Sequence, residues 1–210
     1  MGPLVILGAG GHAKVVASAA RAAGFQVLGF RDDNPQSHGQ CVFGLPILGG
    51  IKEFLGQPDA PAVIGIGKNS IRQRLSTGEV DWKTVVHPAA WVDPSVALGA
   101  GTVVFAGAVI NPDCRVGSHV VVNTGCSIDH DCVVGDFAQV APGARLAGNV
   151  TVGPGVFVGL GAVVRQGVTI GEWSVIGAAA AVVRSLPPHV LAMGVPARLA
   201  RTLDPGESPL

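Results

Sequence analysis

The sequence predicts a small parallel α/β unit over residues 1–84, a parallel β-helix over 85–186, and a loop or tail over 187–210. Three observations carry that reading. Aliphatic residues recur every six positions from Val86 to Val182 without a slip. Near the start, the glycine loop Gly8-Ala9-Gly10-Gly11 joins an apolar strand to an alanine-rich helix. The composition is also extreme, with 48% hydrophobic residues, 13% charged residues and 31 glycines in a chain of 210. About half the charge and twice the glycine of an ordinary domain suits a chain that turns often and buries small aliphatics.

The first unit is read element by element. Pro3 to Leu7 is a buried strand, and His12 to Ala23 a helix that Gly24 is placed to end. Val27 to Phe30 is a second strand, running into Arg31-Asp32-Asp33-Asn34. Ala62 to Ile66 is a third, followed by Gly67-Lys68-Asn69-Ser70 and a helix carrying Arg72 and Arg74. Strands alternating with helices imply a parallel sheet. Residues Gly8 to Ala13 satisfy G-x-G-x-x-A between strand and helix, and Asp32 follows Gly8 by 24 positions. Such a loop offers amides to a pyrophosphate while the acid takes a ribose hydroxyl; the same residues also suit a plain tight turn. So short a unit is only half of a doubly wound dinucleotide fold, so a Rossmann-like half-domain holding a nucleoside diphosphate is expected rather than whole NAD. Lys68, Asn69 and Arg72 either line the ligand crevice at the carboxyl ends of the strands or form a solvated helix start.

The second unit is the repeat. Each sixth residue is Val, Ile or Leu, and four positions later comes a small or short residue, among them Thr102, Ala108, Cys114, Cys126, Cys132, Ala138 and Ser174. Glycine often follows the aliphatic directly, as at Gly99, Gly117, Gly135 and Gly153, where a turn needs backbone freedom. Six residues are too few for a helical repeat and suit a β-helix rung, a short strand plus a corner.

Chemistry is sought where polar residues interrupt the pattern. The strongest cluster is Asn123-Thr124-Gly125-Cys126-Ser127-Ile128-Asp129-His130-Asp131-Cys132. His130 falls at a rung corner, pointing outward between two aspartates. A carboxylate beside an imidazole fixes its tautomer and raises its basicity, as a general base requires. Taken alone, the spacing fits an ordinary solvated corner equally well.

The glycine-loop unit, the hexads and the segment Asp129-His130-Asp131-Cys132-Val133-Val134-Gly135 together resemble bacterial nucleotide-sugar acetyltransferases of the hexapeptide-repeat family. These include UDP-4-amino-sugar and GDP-perosamine N-acetyltransferases and sialic-acid O-acetyltransferases. The Gly194-Val195-Pro196-Ala197-Arg198 segment resembles their closing G-x-P-A-[KR] motif. The resemblance implies a left-handed β-helix with three hexads per coil, so that residues 18 apart stack about 4.8 Å apart. It implies acetyl transfer from acetyl-CoA to the amino group of a nucleotide-linked amino sugar, with sugar O-acetylation as the alternative acceptor chemistry. His130 becomes the catalytic base, with Asp131 raising its basicity. Gly10, Gly11, His12, Asp32, Asp33 and Gly67 become the nucleotide-sugar site. Leu160 and Ala178 line the acetyl-CoA cleft, and Gln139 stands where the family often has a second histidine. A homotrimer with acetyl-CoA between subunits is implied as well. Stacking adds one residue: Gly148 lies 18 after His130, and its amide is expected to stabilise the oxyanion.

Other classes fare worse. Fourteen basic and fourteen acidic residues leave no net field for nucleic acid or an anionic membrane. No apolar run approaches the roughly 18 residues of a membrane span. The N-terminus is apolar without a basic leader region, which reads as a cytoplasmic start. Cysteines 114, 126 and 132 take inward positions and are expected to remain thiols. No metal is expected, since a carbonic-anhydrase-like site needs convergent imidazoles and no H-x4-H pair occurs. A nicotinamide oxidoreductase lacks its second half-fold. A non-catalytic nucleotide-binding scaffold remains the alternative of another kind.

Overall fold

The computed structural model describes residues 1–204, so positions 205–210 of the expected tail lie outside the described residues. In the first unit β1 (Pro3–Leu7) is the central strand, flanked in parallel by β2 (Gln26–Arg31) on one side and, as the third strand of the sheet, by Ala62–Ile64 on the other. Helix α1 (Gly11–Ala22) buries Ala13, Val16, Ala17 and Ala20 against the sheet, and Gly24, at φ +84°, closes it in the left-handed conformation that favours glycine. The third strand stops at Ile64 instead of Ile66. A Cβ at Gly65 would lie 2.6 Å from Ile6 Cγ2 and 2.9 Å from Ala13 Cβ, so only glycine lets α1 sit this close. A two-residue ribbon, Cys41–Val42 with Leu45–Pro46, and helix α2 (Ile51–Gly56) fill the interval after β2, which the sequence left without elements. Helix α3 (Asn69–Leu75) is the expected basic helix.

From Val85 onward the chain winds as a parallel β-solenoid. From Val85 to Val182 every rung is a two-residue strand that pairs with one 18 residues away, as Ser127 does with Val109 and Arg145. The strands form three sheets of six, five and eight strands. The inward aliphatics from Val104 to Val182 are at most 3% exposed. Each such side chain removed from water contributes roughly 1.5–3 kcal/mol, so the core is a column of near-identical increments. The small inward positions hold Cys114, Cys126 and Cys132, all free thiols.

Two expectations change. The glycines that follow the aliphatics do not adopt left-handed backbone; they are needed because the next coil leaves no room for a Cβ. One built at Gly117 would lie 2.7 Å from the Asp136 nitrogen, and at Gly135 only 2.5 Å from that of Pro154. The left-handed residue comes two positions later, and there the chain uses Gly107 and Gly125 but also Asp113, His119, Asp131, Phe137, Asn149 and Trp173. The second change is at the C-terminus, where the expected loop contains Val190–Met193, which extends the eight-stranded sheet, and Arg198–Thr202, antiparallel to it.

The α/β unit sits on the outer surface of the eight-stranded sheet. Val85, Val103, Phe105 and Val121 share a buried cluster with Val16, Ala20 and Leu45. The union is stitched by α3. Arg72, only 1% exposed, donates through Nε to the His119 carbonyl (3.0 Å), through Nη1 to Gly67 (2.6 Å), and through Nη2 to Phe137 (2.7 Å). Asn69 Nδ2 donates to the Gly155 carbonyl at 3.0 Å. Asn69 and Arg72 therefore line no ligand crevice; both are consumed by the domain contact.

Removing Arg72 strips donors from several buried carbonyls, each costing roughly 1–3 kcal/mol if left unpaired. Arg72→Ala is expected to lower the melting temperature by about 5–10 °C, measured by calorimetry, with Arg72→Lys recovering only part. An unchanged melting temperature would refute this account of the domain contact.

Candidate active site

Corner residues 112–113, 130–131, 148–149 and 166–167 stack along one edge of the solenoid. Here Ile128 is buried inward and the chain then turns outward through Asp129 and His130. The Asp129 side chain accepts the His130 main-chain N–H at 2.9 Å, which fixes the start of the turn. Asp131, at φ +58°, brings its Oδ2 to 2.7 Å from His130 Nδ1. A carboxylate only accepts, so Nδ1 carries the proton and Nε2 presents a lone pair outward. The hydrogen bond to Asp131 holds the imidazole above the ordinary histidine value, while both side chains stay about half exposed, at 56% and 50%.

Gly148 lies directly over that ring. A Cβ at Gly148 would stand 2.6 Å from both Cε1 and Nε2 of His130, so the imidazole packs against bare backbone. Among the described residues, the Gly148 N–H has no hydrogen-bond partner, although its carbonyl accepts from Gly167 at 3.1 Å. A cleft of about 480 Å³ opens here, lined by Asp129, His130, Ala147, Gly148, Asn149 and Gln166. One proton acceptor and one unpaired amide thus share a concave corner.

The glycine loop forms a second locus at the carboxyl end of the three-stranded sheet. Nothing lies within 4 Å of a Cβ placed on Gly10 or Gly11, which leaves open space at the N-terminus of α1. Asp32 shapes the loop by accepting the Ala9 N–H at 3.1 Å and the Asn34 N–H at 3.0 Å. His12 packs edge-on against Phe105 and beside Gly67, with Nε2 buried and unpaired. Burial, aided by the nearby Arg72 charge, lowers its pKa to about 4 and keeps it neutral. Asp33 serves the fold visibly: its Oδ1 accepts the Ile51 and Lys52 N–H groups (2.9 and 3.1 Å), capping α2, whose own Gly50 has no side chain to do so.

The remaining candidates lie elsewhere. Gln139 is on the sheet that carries the α/β unit, 8% exposed, with Oε1 unpaired. Leu160 and Ala178 stack along a third edge, where Leu160 is 55% exposed and its carbonyl accepts the Ala179 N–H. One copy of the chain therefore brings His130, Asp131 and Gly148 together, and separately gathers Gly10, Gly11, His12, Asp32 and Gly67. It does not join the two groups. Among the described residues no group of three or more His, Cys, Asp or Glu is placed to hold a metal, and no helix is long and apolar enough to cross a membrane.

Residues 3–78 match the family model described as the PglD N-terminal domain. Over nearly the whole chain the structure resembles a histidine-to-asparagine mutant of perosamine N-acetyltransferase from Caulobacter crescentus in complex with CoA and GDP-perosamine. That match has 39% identity and a TM-score of 0.89, covering 96% of this chain and 98% of that one. The acetyltransferase domain of PglB from Neisseria gonorrhoeae matches at 34% identity, 94% and 98% coverage, and TM-score 0.87. The chain belongs to the hexapeptide-repeat nucleotide-sugar acetyltransferase family. WeeI from Acinetobacter baumannii is more distant, at 25% identity with coverage of 95% and 100% and TM-score 0.83. A curated relative, uncharacterized protein L142 of Acanthamoeba polyphaga mimivirus, is 35% identical over 95 residues; the match takes in 44% of this chain and 19% of that protein's length.

The sequence missed the stacking of Gly148 on the imidazole as a steric requirement, though the 18-residue spacing was its signal. Gly148→Ala is expected to drive the ring off Asp131. The His130 titration, followed by NMR, should then move down toward the ordinary histidine value near 6.5. An unmoved titration would mean that the ring does not depend on this bare backbone.

Proposed function

We propose that the protein transfers the acetyl group of acetyl-CoA to the amino group of a nucleotide-linked amino sugar, with His130 as general base. The observation that carries this reading is the His130–Asp131 pair lying against the free Gly148 amide in one cleft. It stands on a chain 39% identical to an enzyme solved with CoA and GDP-perosamine. The open glycine loop over Gly10 and Gly11, with Asp32, His12 and Gly67 around it, suits the nucleotide diphosphate.

The steps follow from what each group can do. The sugar nitrogen attacks the thioester carbonyl carbon, and His130 Nε2 accepts a proton from that nitrogen as the C–N bond forms. Asp131 stabilises the imidazolium it faces. The carbonyl oxygen becomes an oxyanion that the Gly148 N–H meets, a donor typically worth a few kcal/mol because it is already in place. The C–S bond then breaks, and the proton on His130 passes to the departing thiolate sulfur.

In one copy the nucleotide locus rests on one side of the solenoid while His130 stands on the opposite edge, so we assign the complete site to contacts between copies in a homotrimer. Leu160, exposed on its edge, and Ala178 of a neighbouring copy would line the acetyl-CoA cleft; Gln139, buried on the sheet beneath its own α/β unit, is not placed to reach it.

His130→Asn is expected to lower kcat by about 10²–10⁴, read as CoA thiol release from acetyl-CoA with amino-sugar nucleotides. Asp131→Asn should shift the acidic limb of the kcat profile to lower pH. The wild-type limb lies above the ordinary histidine value because Asp131 holds the proton on His130, and removing that carboxylate lets the base become neutral sooner. Near-wild-type turnover in the His130 variant would sink the assignment. Light scattering should give three times the chain mass. Co-assembly of His130→Asn with Gly11→Asp should restore part of the activity each lacks, whereas a monomer would contradict the shared site.

A further inference from the structure

Two carboxylates flank His130, and the fold gives them different partners. Asp131 Oδ2 is engaged by the imidazole at 2.7 Å. Asp129 is tied through Oδ1 alone, which accepts both the His130 main-chain N–H and the Asn111 amide Nδ2, each at 2.9 Å. Asn111 sits one coil earlier, so the same register that stacks the rungs supplies this donor. Among the described residues, Asp129 Oδ2 has no partner. Asp129 lines the cleft over Gly148 and also an adjoining hollow of about 320 Å³, walled by Asn111, Ser127, Arg145 and Val163. At the junction of two hollows, one residue from the base, stands a carboxylate with one oxygen fixed and the other open.

The Asn111 amide, with the His130 N–H, holds the Asp129 carboxyl below the usual carboxylate range, so it is an anion at neutral pH. Among the described residues no lysine or arginine forms an ion pair with it: Arg145, which walls the hollow, donates to Ser127 Oγ at 3.3 Å. A primary amine arrives near neutral pH as an ammonium ion, whereas a hydroxyl arrives uncharged. An unneutralised carboxylate therefore favours the first over the second.

We infer that Asp129 docks the acceptor as its ammonium ion and thereby selects amino sugars over hydroxyl acceptors. This rests on the acetyl-transfer reading above and names the acceptor class of that same site. The ammonium donates a hydrogen bond to Asp129 Oδ2 and gives one proton to water to become the free amine. A second proton passes to His130 Nε2 as the C–N bond forms, and from there to the thiolate when the C–S bond breaks. Asp129 stays ionised throughout; it is too weak a base to replace His130.

The test is Asp129→Asn, which keeps an oxygen for both donors and so preserves the corner. Steady-state kinetics with an amino-sugar nucleotide should show KM for the acceptor raised roughly tenfold or more, the usual worth of a charge-assisted hydrogen bond, with KM for acetyl-CoA unchanged. The matching nucleotide sugar with hydroxyl in place of the amine, measured as a competitive inhibitor, should bind wild type and variant alike. Equal weakening of amine and hydroxyl ligands, or no change in either, would overturn the inference while leaving acetyl transfer in place. A wild-type protein that acetylates no amino-sugar nucleotide would instead remove the acetyl-transfer reading, and this inference with it.

Discussion

The structure depends on one constraint: residue i sits on residue i+18, coil after coil, with no insertion to spoil the register. A parallel strand pair tolerates no one-residue slip, because a slip would turn every inward aliphatic outward. Here the strands are two residues long, so no single rung could hold its register alone. Stability comes from many identical stacks, as in any solenoid whose units touch only their neighbours. The functional corner is a consequence of that arithmetic. His130 meets Gly148, and Asn111 meets Asp129, because each pair is 18 apart.

The same register prepares the surface on which the α/β unit sits. His119, Phe137 and Gly155 occupy equivalent corners of successive coils, and their carbonyls point outward in a column. Arg72 and Asn69 read that column from a single helix. Among the described residues Arg72 has no acidic partner, and burial lowers its pKa to about 9, still high enough to keep it charged at neutral pH. A buried guanidinium survives only if its donors are satisfied, and here carbonyls do that work in place of a carboxylate. The arrangement also ties the nucleotide locus to the solenoid, since Arg72 Nη1 donates to the carbonyl of Gly67, beside His12. Moving the helix would move the loop that faces the ligand.

How much of this was legible depended on whether the signal was periodic. The hexads are periodic, so the solenoid, its inward residues and its 18-residue stacking could be read directly. The glycines after each aliphatic were legible as a pattern but not as a cause; their spacing looks the same whether glycine supplies a turn or merely absence of bulk. Only the contacts of Gly117 and Gly135 with the next coil decide for bulk. Arg72 and Asn69 were unreadable for a related reason. A polar helix start after a strand resembles a ligand-binding loop, and nothing local reveals that the solenoid carbonyls it serves lie 47 to 87 residues away. Gln139 was singled out only because it stands where the family often has a second histidine; it lies nine positions after His130, half a coil on, which carries it to another face.

Asp131 shows what the catalytic corner costs and why. Its position in the hexad is the one that must be left-handed, and glycine fills it in many coils without strain. A side chain there costs roughly 1 kcal/mol, least for Asp and Asn, whose short polar groups tolerate that conformation. Along the edge that holds His130, the left-handed residues are Asp113, Asp131, Asn149 and Gly167. The adjacent edge uses His119, Phe137 and Trp173, where rings lie over Gly101 and Gly155 and packing offsets the strain. Asp131 has no such packing, being half exposed. What it has is the left-handed turn itself, within which its carboxylate reaches the ring of its immediate predecessor at 2.7 Å. Glycine would relieve the backbone and lose the carboxylate. Its presence at a strained, exposed corner is explained by the imidazole it orients rather than by the solenoid it closes.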